Sequence, residues 1–363
     1  MSKIYDFLIV GAGFSGSVCA QCLKEAGFKV IVIDKKSHIG GHSYDCYDEN
    51  GVLIHKYGPH YFRTDDEGVR QYLSRFTEWR EHRYKVRVSI RGKLYTFPIN
   101  LDTLNEFFGI NLKSEAEAKI FLEAERVNIE NPKNAEEQVL SLAGKRIYES
   151  FFKNYTKKQW DCDPKDLDAS VTARIPIRYD RNDDYLKEKF QAMPLEGYFR
   201  LFENLLSDIE VILNADYKDF KNKIRYENLI YTGAIDEFFG YKYGKLPYRS
   251  LKFEINRYNE EYIQSFGQIN YPGEEPYTRS VEIKHVTGQK VPGTTVIKEY
   301  PTWDGEPYYP VPSFNNEILY KKYADESKKL KNVYFLGRLA EYKYLNMDWV
   351  VKKALILSEE IIK

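Results

Sequence analysis

A glycine-rich turn between two apolar runs constrains the fold of this chain more than any other feature. The run IYDFLIV at residues 4–10 leads directly into GAGFSG at 11–16, and a stripe of apolar residues at helical spacing follows to about residue 26. A second apolar run, FKVIVI at 28–33, ends at Asp34. Strand, glycine turn, helix, strand and acid in this order are typical of a Rossmann βαβ unit that binds a dinucleotide.

Each glycine of the turn has a distinct predicted task. Gly11 permits the tight turn, Gly13 lets the backbone approach a pyrophosphate, and Gly16 lets the helix pack closely on the strand. The helix N-terminus is then expected to hold the phosphates. Asp34 is placed to accept hydrogen bonds from ribose hydroxyls, which favours a ribose without a 2′-phosphate.

Two further glycine-rich loops favour FAD over NAD as the dinucleotide. Gly40-Gly41-His42 and the run HKYGPH at 55–60 follow Asp34 closely, and both would let the backbone pass close to a flat ring system. The sequence holds no second GxGxxG for a nicotinamide nucleotide. If a flavin is bound, we expect its electrons to come from a diffusible donor.

Composition narrows the partners and the compartment. The 54 basic and 54 acidic residues leave no net charge that would attract nucleic acid or an anionic membrane, so we expect neither partner and a local anion site. The apolar run at 4–10 is too short for a signal peptide or a membrane span, and we expect a cytoplasmic protein. Four cysteines are too few for a disulfide scaffold. We predict no metal site.

The succession of helix and strand signals along the chain predicts an α/β fold in four segments. Residues 1–100 begin a Rossmann-type FAD-binding domain, and 101–170 read as an inserted helical domain followed by a mobile lid. Residues 171–300 contain the β-type runs TARIPIRYD, RSLKFEIN and TTVIKEY, which predict an antiparallel β-sheet domain for the substrate, interleaved with the FAD domain. Residues 301–363 return to the FAD domain through the strand NVYFLG and a closing helix.

Distinctive strings run through the chain in a fixed order. They are YGPHYFRT, YTKKQW, IPIRYD, TGAIDEFFGYKYGKLPYRSLKFE, EPYTRSVEIKH, EPYYP and GRLAEYKYLNMD. In this order, and over nearly the whole length, they resemble bacterial UDP-galactopyranose mutase. The resemblance implies a homodimeric isomerase that interconverts UDP-galactopyranose and UDP-galactofuranose for the biosynthesis of galactofuranose-containing glycans.

The resemblance also implies how such an enzyme works. Reduced FAD acts as a nucleophile whose N5 attacks the anomeric carbon, UDP departs, and the O4 hydroxyl recloses the ring as a furanose. The reaction is redox-neutral, so an external reductant such as NAD(P)H or a flavin reductase only has to activate the cofactor. The protein is left to orient the substrate and to stabilise the departing diphosphate.

Roles for individual residues follow from the resemblance. Arg174 and Arg279 match the family's two diphosphate-binding arginines, and His60 matches the histidine beside the flavin; these three are the predicted catalytic residues. The segment around Arg174 is expected to be a mobile lid. The predicted substrate-binding residues are Arg63, Phe152, Tyr155, Trp160, Arg174, Tyr185, Arg279, Tyr309, Tyr344 and Asn346. The predicted cofactor-binding residues are Gly11, Gly13, Phe14, Ser15, Gly16, Asp34, Lys35, Gly41, His42, Gly58, His60, Gly337, Arg338, Tyr344, Asn346 and Met347.

Two departures from the family pattern leave the sugar open. The usual GPHxFHT reads GPHYFRT, so Arg63 replaces a histidine, and a longer cationic donor would favour a substituent on C2. The usual YLDMD reads YLNMD, so Asn346 keeps hydrogen-bonding capacity but carries no charge. A UDP-N-acetylgalactosamine mutase, or an enzyme of dual specificity, is therefore an alternative.

Two rival classes of function also remain. A flavin oxidoreductase of the amine-oxidase-like fold class would share the dinucleotide fingerprint but would consume reduced flavin with each turnover. A non-catalytic flavin- or sugar-nucleotide-binding protein is the second rival, although the combination of Arg174, Arg279 and the YTKKQW string argues against it. The amount of hydride donor used per product separates a mutase from an oxidoreductase.

Overall fold

The βαβ unit predicted from the glycine turn is present. In the computed structural model, which describes residues 4–363, strand β1 (Ile4–Val10) leads through the turn into helix α1 (Phe14–Glu25), and β2 (Val30–Ile33) runs parallel to β1. Alternate residues of β2 enter two different apolar cores, one on each face of the sheet. Burial on both faces explains why this strand is a continuous apolar run. The predicted α/β class is confirmed.

Short strands and helices alternate along the described residues. The further strands are β3 (Asp45–Tyr47), β4 (Leu53–His55), β5 (Phe62–Thr64), β6 (Trp79–Glu81), β7 (Val86–Ile90), β8 (Lys93–Phe97), β9 (Phe190–Pro194), β10 (Glu210–Ile212), β11 (Arg225–Tyr231), β12 (Tyr248–Tyr258), β13 (Gln268–Asn270), β14 (Arg279–Val281), β15 (Thr294–Thr302), β16 (Tyr309–Pro310) and β17 (Val333–Phe335). The further α-helices are α2 (Glu67–Leu73), α3 (Leu101–Phe108), α4 (Glu115–Glu125), α5 (Ala135–Ile147), α6 (Asn154–Trp160), α7 (Ser170–Ala173), α8 (Gly197–Leu205), α9 (Tyr217–Phe220), α10 (Ile235–Phe238), α11 (Lys284–Thr287), α12 (Phe314–Ser327) and α13 (Met347–Ile362). A π-helical turn, Tyr148–Lys153, joins α5 to α6.

Two large sheets dominate the architecture of residues 4–363. The first is the parallel sheet of the Rossmann unit, with the strand order β10-β2-β1-β11-β17. The second has the order β16-β12-β15-β14-β13-β7-β8 and is antiparallel except where β13 runs parallel to β7. Smaller sheets are formed by β5-β9-β6 and by β3-β4.

Both large sheets take strands from more than one predicted segment. β7 and β8, from the segment 1–100, pair into the second sheet, whereas β10 and β11, from the segment 171–300, complete the parallel sheet. Helices α3 to α6 lie within the segment 101–170. The division into four segments remains a proposal, in which the FAD-binding and substrate segments interleave.

One predicted strand is wrong. RSLKFEIN and TTVIKEY lie in β12 and β15, but TARIPIRYD begins in the short helix α7 and continues without regular strand pairing. Pro176 has no N–H to donate to a ladder, so a strand is disfavoured there. The apolar side chains of Ile175 and Ile177 instead pack against the main core from a loop.

Close packing of α1 on β1 depends on Gly16. A Cβ atom at this position would overlap the backbone oxygen of Gly11. The helix is also covered by α13, the last helix of the chain, so its position is fixed from two sides. No helix between residues 4 and 363 is long and apolar enough to cross a membrane.

We expect Gly16→Ala to destabilise the Rossmann unit by about 2–4 kcal/mol, because the added methyl group must displace the Gly11 backbone. Thermal unfolding and the flavin content of the purified protein measure this effect. Gly68→Ala is the control, since Gly68 lies in α2 and an added Cβ there would approach only Asp66 Oδ1, at 3.3 Å. The control should be neutral or slightly stabilising, and equal stability of the two variants would contradict the prediction.

Candidate functional site

Two adjoining pockets meet at a common wall. The first, called here the nucleotide pocket, surrounds the glycine turn and the end of β2. The second, called the substrate pocket, lies against α6, α7 and the second sheet. His60, Arg338 and Met347 line both pockets. A group bound in one pocket therefore meets a group bound in the other at these three residues, which makes the common wall the place where chemistry can occur.

The nucleotide pocket is built around the N-terminus of α1. Gly13 caps this helix without a side-chain hydrogen bond, so the first N–H groups of the helix are available to an anion such as a pyrophosphate. The buried Asp34 carboxylate accepts hydrogen bonds from the N–H groups of Ala12, at 2.7 Å, and Lys36, at 2.8 Å. A carboxylate has lone pairs beyond these two, so the predicted ribose contact remains possible. This donor and acceptor set fits a dinucleotide.

Most of the predicted cofactor residues line the nucleotide pocket. They are Gly11, Gly13, Phe14, Ser15, Asp34, Lys35, Gly41, His42, His60, Arg338 and Met347. Gly16 does not line it, because its task is to pack α1 on β1, and Gly337 lies behind it against the Ser15 side chain. Gly58, Tyr344 and Asn346 line the substrate pocket instead.

The substrate pocket brings together all ten predicted substrate-binding residues. They are Arg63, Phe152, Tyr155, Trp160, Arg174, Tyr185, Arg279, Tyr309, Tyr344 and Asn346. They come from the π-helical turn, from α6, from β5, β14 and β16, and from loops. Sequence-distant elements therefore converge on one cleft, although the roles of the individual residues remain proposals.

Tyr344 lies between two guanidinium groups. The Cζ atoms of Arg174 and Arg338 lie 4.8 and 4.9 Å from the centroid of its ring, distances at which a cation is attracted to an aromatic face. Burial raises the pKa of the Tyr344 hydroxyl, but Arg174, Arg338 and Arg279 outweigh it and lower the pKa to about 7. The ring of Tyr309 stacks on Tyr344, with centroids 5.5 Å apart. The cluster is therefore strongly positive and suits a diphosphate.

Glu299 lines neither pocket but pairs with Arg279, which does, and the sequence did not reveal it. It faces Arg279 in the register of β14 with β15, and its Oε2 atom lies 2.6 Å from Arg279 Nε. Burial alone would lower the pKa of Arg279, but the fully buried Glu299 carboxylate raises it well above its ordinary value. A Cβ atom at Gly58, where φ is +85°, would approach Glu299 Oε1 to 3.1 Å. Glu299 thus lies close both to the guanidinium group and to the loop beside the common wall.

His60 is held as a neutral imidazole. Burial, and to a smaller extent the neighbouring His55, lower its pKa to about 3. Its Nδ1 atom lies 2.8 Å from the carbonyl oxygen of Gly58, which can only accept, so Nδ1 carries the proton. Nε2 is then an acceptor at the common wall.

Arg63 is fixed by two partners that also line the substrate pocket. Its Nε donates to Glu188 Oε1 at 3.0 Å, and its Nη2 donates to Asn346 Oδ1 at 2.9 Å. Glu188 was missed by the sequence analysis, because it lies in a loop far from Arg63 along the chain and no local pattern marks the pair. The two departures from the family pattern, Arg63 and Asn346, therefore contact each other.

Comparison with known proteins identifies the family. The family model described as UDP-galactopyranose mutase matches residues 150–344. A Klebsiella pneumoniae protein named "Probable UDP-galactopyranose mutase" is 39% identical over 365 residues, which cover 98% of this chain and 94% of that protein. The chain belongs to the UDP-galactopyranose mutase family. It is therefore an enzyme of the mutase type, and its cofactor is FAD.

Further comparisons identify a second relative, a similar crystal structure and a second matching family model. An Escherichia coli protein named dTDP-fucopyranose mutase is 36% identical over 376 residues, which cover 100% of this chain and 99% of the relative. The fold is similar to that of a crystal structure of reduced UDP-galactopyranose mutase, with a TM-score of 0.78, 17% identity, and coverage of 99% and 95% of the two chains. A model described as an NAD(P)-binding Rossmann-like domain matches residues 9–76. Membership of a mutase family does not favour the first rival function, a flavin oxidoreductase. It excludes the second rival, a non-catalytic binding protein.

The low pKa of Tyr344 predicts that sugar-nucleotide affinity falls as the pH rises above about 7. Its phenolate accumulates there and repels the diphosphate, so binding requires the proton, and affinity should fall by up to about tenfold per pH unit. Titration calorimetry of UDP-galactose with the oxidised protein between about pH 6 and pH 9 measures this slope, because neither flavin chemistry nor turnover contributes.

Two tyrosine variants separate this titration from other effects of pH. Tyr344→Phe should bind more weakly at low pH but lose the slope. Tyr309→Phe is the matched control, because burial raises the pKa of Tyr309 to about 12 and its hydroxyl does not titrate in this range. A slope that persists in Tyr344→Phe would show that another group is responsible.

Proposed function

We propose that this chain interconverts UDP-galactopyranose and UDP-galactofuranose in the cytoplasm, for the biosynthesis of galactofuranose-containing glycans. The observation that supports this most directly is the pair Arg174 and Arg279 in one pocket, whose common wall with the nucleotide pocket holds His60 and Arg338. A diphosphate bound to these two arginines would place the attached sugar in the substrate pocket, which borders the nucleotide pocket.

Charge stabilisation is the main task proposed for the protein. Reduced FAD supplies a nucleophile for the anomeric carbon. Arg174 and Arg279 bind the diphosphate and stabilise the negative charge that grows on it as it leaves the sugar. The buried Glu299 keeps the Arg279 guanidinium charged and oriented. Tyr344, once protonated, adds a hydrogen-bond donor to the same group.

The remaining side chains are proposed to position the two ends of the substrate. Phe152, Tyr155 and Trp160 offer flat apolar surfaces for the uracil ring. At the other end, the neutral His60 presents Nε2 as an acceptor for a sugar hydroxyl. Arg174 lies at the C-terminal end of the short helix α7, in a partly exposed segment that we propose moves as a lid.

Assembly and activation are also proposed from the family resemblance. We propose that the protein is a homodimer and that an external reductant such as NAD(P)H or a flavin reductase converts bound FAD to its active form. Sedimentation velocity of the purified protein tests the first proposal, and reduction of the bound flavin under anaerobic conditions tests the second.

The identity of the sugar is the least constrained part of the proposal. Arg63 lines the substrate pocket and favours a substituent on C2, which supports UDP-N-acetylgalactosamine as a second candidate substrate. The similarity to a protein named dTDP-fucopyranose mutase adds a candidate with a different base and a 6-deoxy sugar. Galactose remains the leading proposal because the family model and the Klebsiella pneumoniae relative both carry that name.

A parallel assay of three sugar nucleotides tests the proposed function. The protein, reduced with dithionite, is incubated with UDP-galactopyranose, UDP-N-acetylgalactosamine or dTDP-fucopyranose, and the products are separated. We expect the furanose form of UDP-galactose to appear fastest, only with reduced protein, and with far less reductant consumed than product formed. Absence of any furanose product from all three would refute the proposal.

Arg279→Lys should lower kcat/KM by about 100- to 1000-fold, because an ammonium cannot hold two phosphate oxygens as a guanidinium fork does. Glu299 keeps a cationic partner in this variant, so the fold and the flavin content should be retained. Arg146→Lys is the control, since Arg146 pairs with Glu125 at the surface, outside both pockets. Unchanged turnover in Arg279→Lys would refute the role proposed for Arg279.

Glu188→Gln should change substrate preference more than overall activity. The variant removes the negative charge that is paired with Arg63, and we expect the ratio of kcat/KM for UDP-N-acetylgalactosamine to that for UDP-galactose to fall by about 3- to 10-fold. The ratio of kcat/KM for the two substrates measures this. Glu25→Gln, which breaks an exposed pair with Arg75, should leave the ratio unchanged. An unaltered ratio in Glu188→Gln would mean that Glu188 does not control the sugar end.

A further inference from the structure

A half-buried lysine joins two walls of the substrate pocket. Lys158, on α6, donates hydrogen bonds to the carbonyl oxygens of Tyr271, Glu275 and Tyr277, at 2.5, 2.7 and 3.1 Å. An ammonium group has three donors and no acceptor, so all three donors are used. The three acceptors lie in one segment, residues 271–277, and Lys158 therefore holds three carbonyl groups of that segment around one ammonium group.

The position of this contact relates it to substrate binding. The segment 271–277 connects β13, which ends at Asn270, to β14, which begins at Arg279, and both of these residues line the substrate pocket. On the other side of the contact, α6 carries Tyr155 and Trp160 into the same pocket.

Lys158 itself does not line the pocket. Its hydrogen bonds instead connect the backbone that presents the proposed base-binding rings to the backbone that presents the diphosphate-binding guanidinium. Any effect that it has on the substrate is therefore indirect.

We propose that Lys158 is a positioning residue that sets the separation of α6 from the β13–β14 connection and thereby the affinity for the nucleotide. This inference rests on the proposed function, because it concerns the binding of the nucleotide part of that substrate. A nucleotide diphosphate must contact the rings on α6 and the guanidinium on β14 at once. Its affinity therefore depends on a fixed distance between them.

The surroundings of the contact indicate what its loss would do. Residues 273 and 274 are exposed, so water can reach the carbonyl groups of the segment once the ammonium is removed, whereas the rings of Tyr271 and Tyr277 still pack against each other, with centroids 4.8 Å apart. We therefore expect loss of Lys158 to loosen the segment locally and not to unfold the domain. Burial lowers the pKa of Lys158, and the Glu275 carboxylate opposes this effect.

The chain contains two matched controls. Lys284, on α11, makes the same three-carbonyl contact, to Glu261, Val291 and Gly293, but lines neither pocket. Lys157, the neighbour of Lys158, is exposed and pairs with Asp163 at 3.0 Å. Substitution of Lys284 removes the same kind of contact at a place away from the substrate pocket. Substitution of Lys157 removes a charge from α6 but leaves the contact of Lys158 intact.

The experiment compares Lys158→Met and Lys158→Arg with Lys284→Met and Lys157→Met. For each variant, calorimetry gives the dissociation constant of UDP from the oxidised protein, and kinetics with UDP-galactose give KM and kcat. Bound flavin and thermal unfolding report on the fold.

We expect Lys158→Met to raise both the UDP dissociation constant and KM by about tenfold, with kcat within about threefold of wild type and flavin content unchanged. Lys158→Arg should fall between Lys158→Met and wild type. Lys284→Met should melt at a lower temperature with an unchanged KM, and Lys157→Met should match wild type.

Specific outcomes would overturn the inference. Wild-type UDP affinity in a folded Lys158→Met protein would do so, and so would an equal rise in KM in Lys284→Met, which would point to general destabilisation. If Lys158→Met does not fold, a wild-type KM in Lys158→Arg overturns the inference instead. Failure of the wild-type protein to bind UDP or to form any furanose would refute the proposed function, and this result is read before the variants are compared.

Discussion

The buried ion pair of Arg279 with Glu299 is the interaction on which the rest of the site depends. It lies between β14 and β15, in the middle of the seven-stranded sheet, so the guanidinium group proposed to bind the diphosphate is carried by a strand that is paired on both sides. Removing either partner would leave a buried charge without compensation. The same carboxylate lies near Gly58, where an added Cβ atom would come within 3.1 Å of Glu299 Oε1, so the ion pair lies close to the loop that carries His60.

The sequence predicts well the features that depend on local residue patterns and the residues that lie in the strings resembling the family. The turn from β1 to α1 follows from a glycine pattern within six residues, and the resemblance placed ten side chains that the fold brings into one pocket. Glu299, Glu188 and Lys158 were not found, because their partners are 20, 125 and at least 113 residues away and their pairing depends on strand register and loop packing. TARIPIRYD was wrongly predicted as a strand because its apolar residues serve a loop that packs on the core.

The departures from the family pattern at residues 63 and 346 are structurally linked, because the two side chains contact each other. An arginine in place of a histidine adds a cation, and an asparagine in place of an aspartate removes an anion, yet Arg63 donates directly to Asn346 and finds its carboxylate in Glu188. The cation of Arg63 is thus paired with a loop carboxylate, Glu188, and not with the residue at position 346. The polarity that a sugar substituent meets there depends on all three side chains and not on Arg63 alone.

The order of strands in the parallel sheet bears on how the protein is made. Its centre, β2-β1, is synthesised first, but its remaining strands come from residues 210–231 and 333–335, and the nucleotide pocket is completed by Arg338 and Met347. A nascent chain therefore carries an unpaired sheet edge through most of its synthesis, while the helical segment and the second sheet emerge between the two halves. The nucleotide pocket is therefore complete only after residue 347 has been synthesised, which favours late insertion of the cofactor.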